Sequence, residues 1–217
     1  MAQASEKARF NMIQQQIRPW DVIDSRVLDA MMSIERERFV PDAYKGLAYA
    51  DIEIPLDGGQ CMMAPKVVGR MLQALNLQGS DEVLEIGTGT GYVTACLAAM
   101  AHRVTSLELN PDLLAIAHVN LGAANVRLRE RDALGERLNA GPFDAIAVTG
   151  SLPDEARLAD LQSQLKDGGR MFVVVGQAPA MHAILITRRG DGFARETLFE
   201  TELPPLDKAP EAEQFVF

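Results

Sequence analysis

Short apolar runs alternate with helical patterns through the central part of the chain. Brief runs of branched residues indicate buried strands, and apolar residues three and four positions apart indicate helices. The pattern predicts strands at residues 83–86, 104–109, 126–129, 143–148 and 171–175, and helices at residues 93–100, 112–121 and 154–165. Short connections between such elements are typical of right-handed βαβ units around a mainly parallel sheet. We therefore predict a doubly wound α/β fold.

The two ends of the chain show other patterns. Strand-like runs at residues 183–187 and 194–199 predict an antiparallel pair at one edge of the sheet. Near the N-terminus, Asp24 is a suitable N-cap for an amphipathic helix, and a second helix is expected at residues 65–77. Residues 39–64 fit neither period, so we expect an irregular segment that can form a site.

The periodicity changes near residue 79 and suggests two regions within one compact domain. Residues 1–78 form a helical and loop region, and residues 79–217 form the core that holds the ligand. At 217 residues and 23.7 kDa, the chain is long enough for one well-buried domain.

Charge and cysteine content narrow the possible partners. A formal net charge of −9 disfavours nucleic acid and anionic membranes, which carry negative charge themselves. Cys61 and Cys96 lack metal-ligand spacing, and neither a signal peptide nor a membrane-spanning run is apparent. We expect a reduced, cytoplasmic protein without a metal site.

A glycine-rich turn follows the first strand of the core. The sequence from Glu85 through Ile86, Gly87, Thr88, Gly89 and Thr90 to Gly91 has glycine at alternate positions and leads into a helix. Glycine permits close approach of a ligand to the backbone, and a helix N-terminus offers unpaired N–H groups. The spacing G-x-G-x-G differs from the G-x-G-x-x-G of dinucleotide sites. A nucleotide-like ligand other than NAD is indicated.

Carboxylates at the strand ends suggest what this ligand is. Glu108, at the end of the second strand, is placed to accept hydrogen bonds from a ribose diol. Asp132, after the third strand, is either an adenine acceptor or a turn residue. Glu85 would add negative charge, which suits the ammonium and sulfonium groups of S-adenosylmethionine and opposes a pyrophosphate. His102, His118 and His182 form no recognisable triad.

Several short motifs together resemble the protein-L-isoaspartate O-methyltransferase family. They are Phe39-Val40-Pro41, Tyr49-Ala50-Asp51, Pro55-Leu56, Gly59-Gln60, Ala64-Pro65 and the glycine-rich turn, within a resemblance that runs from Ile17 to Thr187. It implies a Rossmann-like class I methyltransferase that uses S-adenosylmethionine to methylate the free carboxylate of isoaspartyl residues in damaged proteins. The cofactor would be lined by Glu85, Gly87, Thr88, Gly89, Thr90, Gly91, Glu108, Leu109, Asp132, Ala133 and Thr149.

The loop expected to face the substrate departs from the family. Gln60, Cys61, Met62 and Met63 stand there, and Met63 replaces the family serine, whose hydroxyl faces the substrate carboxylate. A thioether cannot donate a hydrogen bond, and losing such a buried contact costs about 1–3 kcal/mol. Met62 and Met63 are predicted to line an adaptable apolar pocket.

The altered loop leaves several functions open. The first is a monomeric isoaspartyl methyltransferase, for which no catalytic residue is assigned because a carboxylate needs no base to accept a methyl group. The second is a methyltransferase for another acceptor, a small carboxylic acid or a phenol. A non-catalytic cofactor-binding protein and, more remotely, an NAD-linked dehydrogenase also stay open.

Overall fold

The computed structural model describes residues 2–135, 138, 141–155 and 157–209. Within them the helices are α1 (Ala2–Met12), α2 (Ser25–Ser33), α3 (Pro65–Leu75), α4 (Tyr92–Met100), α5 (Pro111–Asn120) and α6 (Leu158–Gln162). The strands are β1 (Ile54–Pro55), β2 (Cys61–Met62), β3 (Glu82–Ile86), β4 (Arg103–Glu108), β5 (Val126–Glu130), β6 (Phe143–Leu152), β7 (Leu165–Gln177), β8 (Ala180–Arg189) and β9 (Gly192–Glu200).

The described part of the chain contains one large sheet with the strand order β5-β4-β3-β6-β7-β8-β9. The strands β5, β4, β3, β6 and β7 run parallel, whereas β8 and β9 add an antiparallel pair at one edge. This arrangement confirms the predicted doubly wound α/β fold and its C-terminal strand pair. The chain winds outward from β3 to β5 and then crosses to β6, so the order reverses between β3 and β6. Ligands of such sheets bind at this switch point.

Both faces of the sheet are covered, which explains why its strands read as continuous apolar runs. On β3, Val83 belongs to one buried cluster and Leu84 and Ile86 belong to the other. Neighbouring side chains of a strand point to opposite faces, so β3 supplies both cores. The N-terminal helices share the cluster that contains Val83.

The sequence prediction is wrong between residues 154 and 170, whereas the strand expected at residues 171–175 lies within β7. The expected helix over residues 154–165 is only the short α6, and β7 begins already at Leu165 instead of residue 171. Leu165 pairs with Phe143 of β6, and the register then shifts before pairing resumes at Arg170. Gly168, with φ +75°, lies in this interval. Of the described residues of the predicted helix, five are helical, and its last residue, Leu165, pairs with β6 instead.

The region before β3 is helical and irregular, as predicted. Asp24 caps α2 by accepting a hydrogen bond from Arg26 N, and α3 begins with Pro65 in its first turn. The segment after α2 contains short 3-10 turns and the two-residue strands β1 and β2, which pair with each other. No helix in the described ranges is long and apolar enough to cross a bilayer.

Candidate functional site

The glycine-rich turn connects β3 to α4 at the switch point of the sheet. Gly87 has φ +93°, and a side chain there would collide with Thr149 Oγ1, which donates to the carbonyl oxygens of Ile86 and Gly87. Gly91 has φ +95°, and a Cβ there would lie 2.9 Å from Leu121 Cδ1. These two glycines are required by backbone conformation and by close packing.

Glu108, at the end of β4, is held in one orientation by backbone N–H groups. Its Oε2 accepts from Gly89 N at 2.8 Å, and its Oε1 accepts from Leu109 N and Asn110 N at 2.9 Å. These three bonds use three of the about four acceptor positions of a carboxylate. The side chain is therefore preorganised at the glycine-rich turn and keeps capacity to accept from a ligand hydroxyl.

A main cleft opens at the carboxyl ends of β3, β4 and β6. Seven of the predicted cofactor residues line it: Gly87, Gly89, Glu108, Leu109, Asp132, Ala133 and Thr149. Of the predicted substrate residues, Gln60 and Cys61 also line this cleft. The structure thus brings together residues from separate loops at one end of the sheet.

The walls of the main cleft are rich in carboxylates. Glu108, Asp132 and Asp207 line it beside the guanidinium of Arg131. Burial raises the pKa of Asp132, but hydrogen bonds from Gly135 N and Leu134 N and the ammonium of Lys208 outweigh it, so the pKa lies below its ordinary value. Asp132 therefore shapes its own turn and also presents negative charge to the cleft.

Residues 203–209 form a C-terminal strap beside the main cleft. Ser151 N donates to Pro204 O, and Leu206 N donates back to Ser151 O. Gln60 Nε2 donates to Asp207 Oδ1 at 2.7 Å, and Lys208 pairs with Asp132 at 3.3 Å. The strap thereby ties the loop after β1 to the turn after β5.

Glu85 does not line the main cleft, contrary to the expectation that it supplies negative charge there. It is 0% exposed, and its Oε2 accepts from Thr94 Oγ1 and from Ser106 Oγ, which in turn is bonded to Thr88 Oγ1. Burial raises the pKa of this carboxyl to about 8 against the effect of both hydroxyl donors. Glu85 is therefore mainly neutral at pH 7. Its hydrogen bonds with Thr94 and Ser106 support the glycine-rich turn from inside the core.

A smaller side chamber adjoins the main cleft and shares with it Leu56, Cys61, Gly87, Gly89 and Thr149. The predicted residues Thr88, Thr90, Met62 and Met63 line the chamber rather than the main cleft, whereas Gly91 lines neither.

Arg36 and Tyr92 complete the side chamber, and sequence reasoning missed both. Arg36 lies in a run of charged residues that resembles a solvated face, yet it is 1% exposed. Its guanidinium carbon lies 4.7 Å from the centre of the Tyr92 ring. The aromatic residue directly after the last glycine was the available signal for Tyr92.

Cys61 lines both cavities but is not an activated thiol. Burial and the neighbouring Glu53 carboxyl raise its pKa to about 12, so the thiol is protonated at neutral pH. Among the residues described, no three His, Cys, Asp or Glu side chains cluster as metal ligands would.

Comparison with known proteins gives one consistent result. The family model for Protein-L-isoaspartate(D-aspartate) O-methyltransferase (PCMT) matches residues 7–204. A protein-L-isoaspartate O-methyltransferase from Anaeromyxobacter dehalogenans (strain 2CP-C) is 42% identical over 195 residues, which cover 87% of this chain and 92% of the relative.

Solved structures agree with the sequence comparison. One protein-L-isoaspartate O-methyltransferase superposes with a TM-score of 0.78 at 25% identity, over 93% of this chain and 66% of that chain. A beta-aspartate methyltransferase from Plasmodium falciparum, in complex with S-adenosyl-L-homocysteine, gives a TM-score of 0.78 at 21% identity over 94% of this chain and 98% of that chain. The second likeness shows the shared fold.

Proposed function

The chain belongs to the protein-L-isoaspartate(D-aspartate) O-methyltransferase family, and on that premise we propose that it methylates the free carboxylate of isoaspartyl residues in proteins with S-adenosylmethionine. The observation that carries this proposal is the preorganised Glu108 carboxylate facing the main cleft beside the glycine-rich turn. The proposed enzyme is a monomer of the cytoplasm, which sedimentation and cell fractionation test.

The main cleft presents groups whose charge and hydrogen-bonding capacity suit this cofactor. Gly87 and Gly89 leave the backbone open to a ligand, and Glu108 can accept from a ribose hydroxyl. Asp132 and Asp207 provide negative charge, which favours a ligand that carries ammonium and sulfonium groups. We propose that Leu109, Ala133 and Thr149 complete the cofactor walls.

Methyl transfer demands little chemistry from the protein. When bound, S-adenosylmethionine supplies an electrophilic methyl group: a carboxylate oxygen forms the new C–O bond while the S–C bond breaks and sulfur keeps the electron pair. A carboxylate is ionised at pH 7, so no general base is needed. The residues of this chain act by placing the attacking oxygen about 3–3.5 Å from the methyl carbon and by excluding water.

The side chamber is the proposed place for the acceptor, because it shares a wall with the main cleft. Met62 and Met63 are 6% and 2% exposed and give the chamber an apolar side where the family has a hydroxyl. Apolar walls exclude water and suit the aliphatic part of the acceptor.

The direct test is methyl transfer from labelled S-adenosylmethionine to an isoaspartyl peptide, with the ordinary aspartyl peptide of the same sequence as control. Transfer to the isoaspartyl peptide alone is expected. Equal transfer to both peptides, or none to either while S-adenosylhomocysteine still binds, would refute the proposed substrate and favour a different acceptor.

A further inference from the structure

Three buried polar atoms of the side chamber have no hydrogen-bond partner within the described part of the chain. They are Arg36 Nη1, Thr90 Oγ1 and Tyr92 Oη, on side chains whose residues are 1%, 3% and 3% exposed. Buried polar groups of native proteins are almost always paired, and an unpaired one costs about 1–3 kcal/mol. Three of them around one chamber indicate a polar ligand.

The charge of Arg36 indicates the sign of that ligand. Its Nε donates to Ala48 O at 3.0 Å and its Nη2 donates to Met63 O at 2.9 Å, so both partners are neutral carbonyls. Burial lowers the pKa of Arg36 below its ordinary value, with weaker opposing effects from the neighbouring Tyr92 and Cys96. A buried guanidinium without a facing carboxylate is costly, and an anion would offset that cost.

The position of these atoms relative to the main cleft matters as well. Arg36 stacks on the Tyr92 ring, and its two carbonyl contacts fix the plane of the guanidinium. An anion bound at Nη1 would occupy a chamber whose wall includes Gly87, Gly89 and Thr149, which also line the main cleft. The anion would therefore lie beside the cofactor.

We propose that Arg36 and Tyr92, with Thr90 nearby, bind the carboxylate of the methyl acceptor. This inference rests on the proposed function and specifies its acceptor site. One carboxylate oxygen accepts from Arg36 Nη1 and Tyr92 Oη, and the other stays free to attack the methyl carbon. The methyl ester formed carries no charge and binds Arg36 more weakly, so the same contact assists product release.

The test compares two ligands that differ only in charge. An isoaspartyl peptide and the same peptide with an amide in place of its free carboxylate are titrated calorimetrically into enzyme saturated with S-adenosylhomocysteine. The wild-type protein is expected to bind the carboxylate at least about tenfold more tightly, as charge-assisted hydrogen bonds allow. No preference in the wild-type protein would overturn the inference.

Variants separate recognition from folding. Arg36→Gln should abolish the preference, Arg36→Lys should retain part of it, and Tyr92→Phe should reduce it about threefold or more while S-adenosylhomocysteine affinity is kept. Tyr44→Phe, outside both cavities, is the matched control. If Arg36→Gln does not fold, Tyr92→Phe still decides, because an undiminished preference in that variant overturns the inference.

The outcome also distinguishes this inference from the proposed function. Methyl transfer by the wild-type protein with an unchanged carboxylate preference in Tyr92→Phe would refute the inference alone. A carboxylate preference that depends on Arg36 and Tyr92, without methyl transfer, would support the site and refute the isoaspartyl reaction.

Discussion

Replacing the buried Glu85 by glutamine should change how stability depends on pH. Burial raises the pKa of this carboxyl from 4.5 to about 8, against the effect of the Ser106 and Thr94 hydroxyls, and the charge of Glu108 adds to the rise. Between these two values the folded protein holds a proton that the unfolded chain has released. The wild-type protein therefore loses stability as pH rises through this window, by about 1.4 kcal/mol per pH unit from this one group.

The glutamine variant has no carboxyl to titrate at this position. The difference in the free energy of unfolding between the two proteins therefore isolates the contribution of Glu85. From about pH 5.5 to about pH 7.5 the free energy of unfolding of the wild-type protein should fall by about 3 kcal/mol relative to Glu85→Gln. At the acidic end the variant should be the less stable protein by about 1–3 kcal/mol, because its amide donors have no described partner near Oε1. Toward pH 8 the gap should close or reverse.

Urea denaturation of the ligand-free proteins at several pH values measures this difference directly. Glu82→Gln on the same strand, at a partly exposed position paired with Arg103, controls for the chemical change. Parallel curves of stability against pH for the wild-type protein and Glu85→Gln would refute the reasoning. They would mean that Glu85 has the same pKa in the folded protein and in the unfolded chain.

Three further substitutions test the site. Glu108→Gln should weaken S-adenosylhomocysteine binding about tenfold or more in calorimetry, since one acceptor oxygen becomes an NH₂ group that only donates; unchanged affinity would contradict the assigned role. Gly87→Ala should lower the free energy of unfolding by about 2 kcal/mol or more in denaturant titrations, because its Cβ would strike Thr149, and a stable variant would refute that clash. Met63→Ser should raise kcat/KM for the isoaspartyl peptide while costing about 2–5 kcal/mol of stability, and no gain in a folded variant would argue against a carboxylate near Met63.

The parallel part of the fold was predictable from sequence because local signals and tertiary structure agree there. The strand that ends at Ile86 is apolar on both faces, and Gly87 follows it at the turn that the sheet requires. By contrast, Leu165 and Arg170 belong to a strand because they pair with Phe143 and Ala145 of β6. That pairing depends on the register of a distant segment, which a local pattern does not contain.

The residues of the site also divide into those that the sequence predicts and those that it does not. Glu108 follows from its place at a strand end, since parallel strands deliver their carboxyl ends to one edge. Arg36 could not be predicted in this way. It is buried where its guanidinium donates to the carbonyl oxygens of Ala48 and Met63, which lie in separate loops. The charged residues next to Arg36 in the sequence indicate a solvent-exposed position, whereas tertiary packing buries its guanidinium.

The C-terminal strap has a consequence for the order in which the site is completed during synthesis. The glycine-rich turn leaves the ribosome well before residues 203–209, which follow β9 in the chain. Ser151 can form its two backbone hydrogen bonds with Pro204 and Leu206 only after those residues have been synthesised. The Gln60–Asp207 contact must likewise wait for residue 207, more than a hundred residues after the glycine-rich turn.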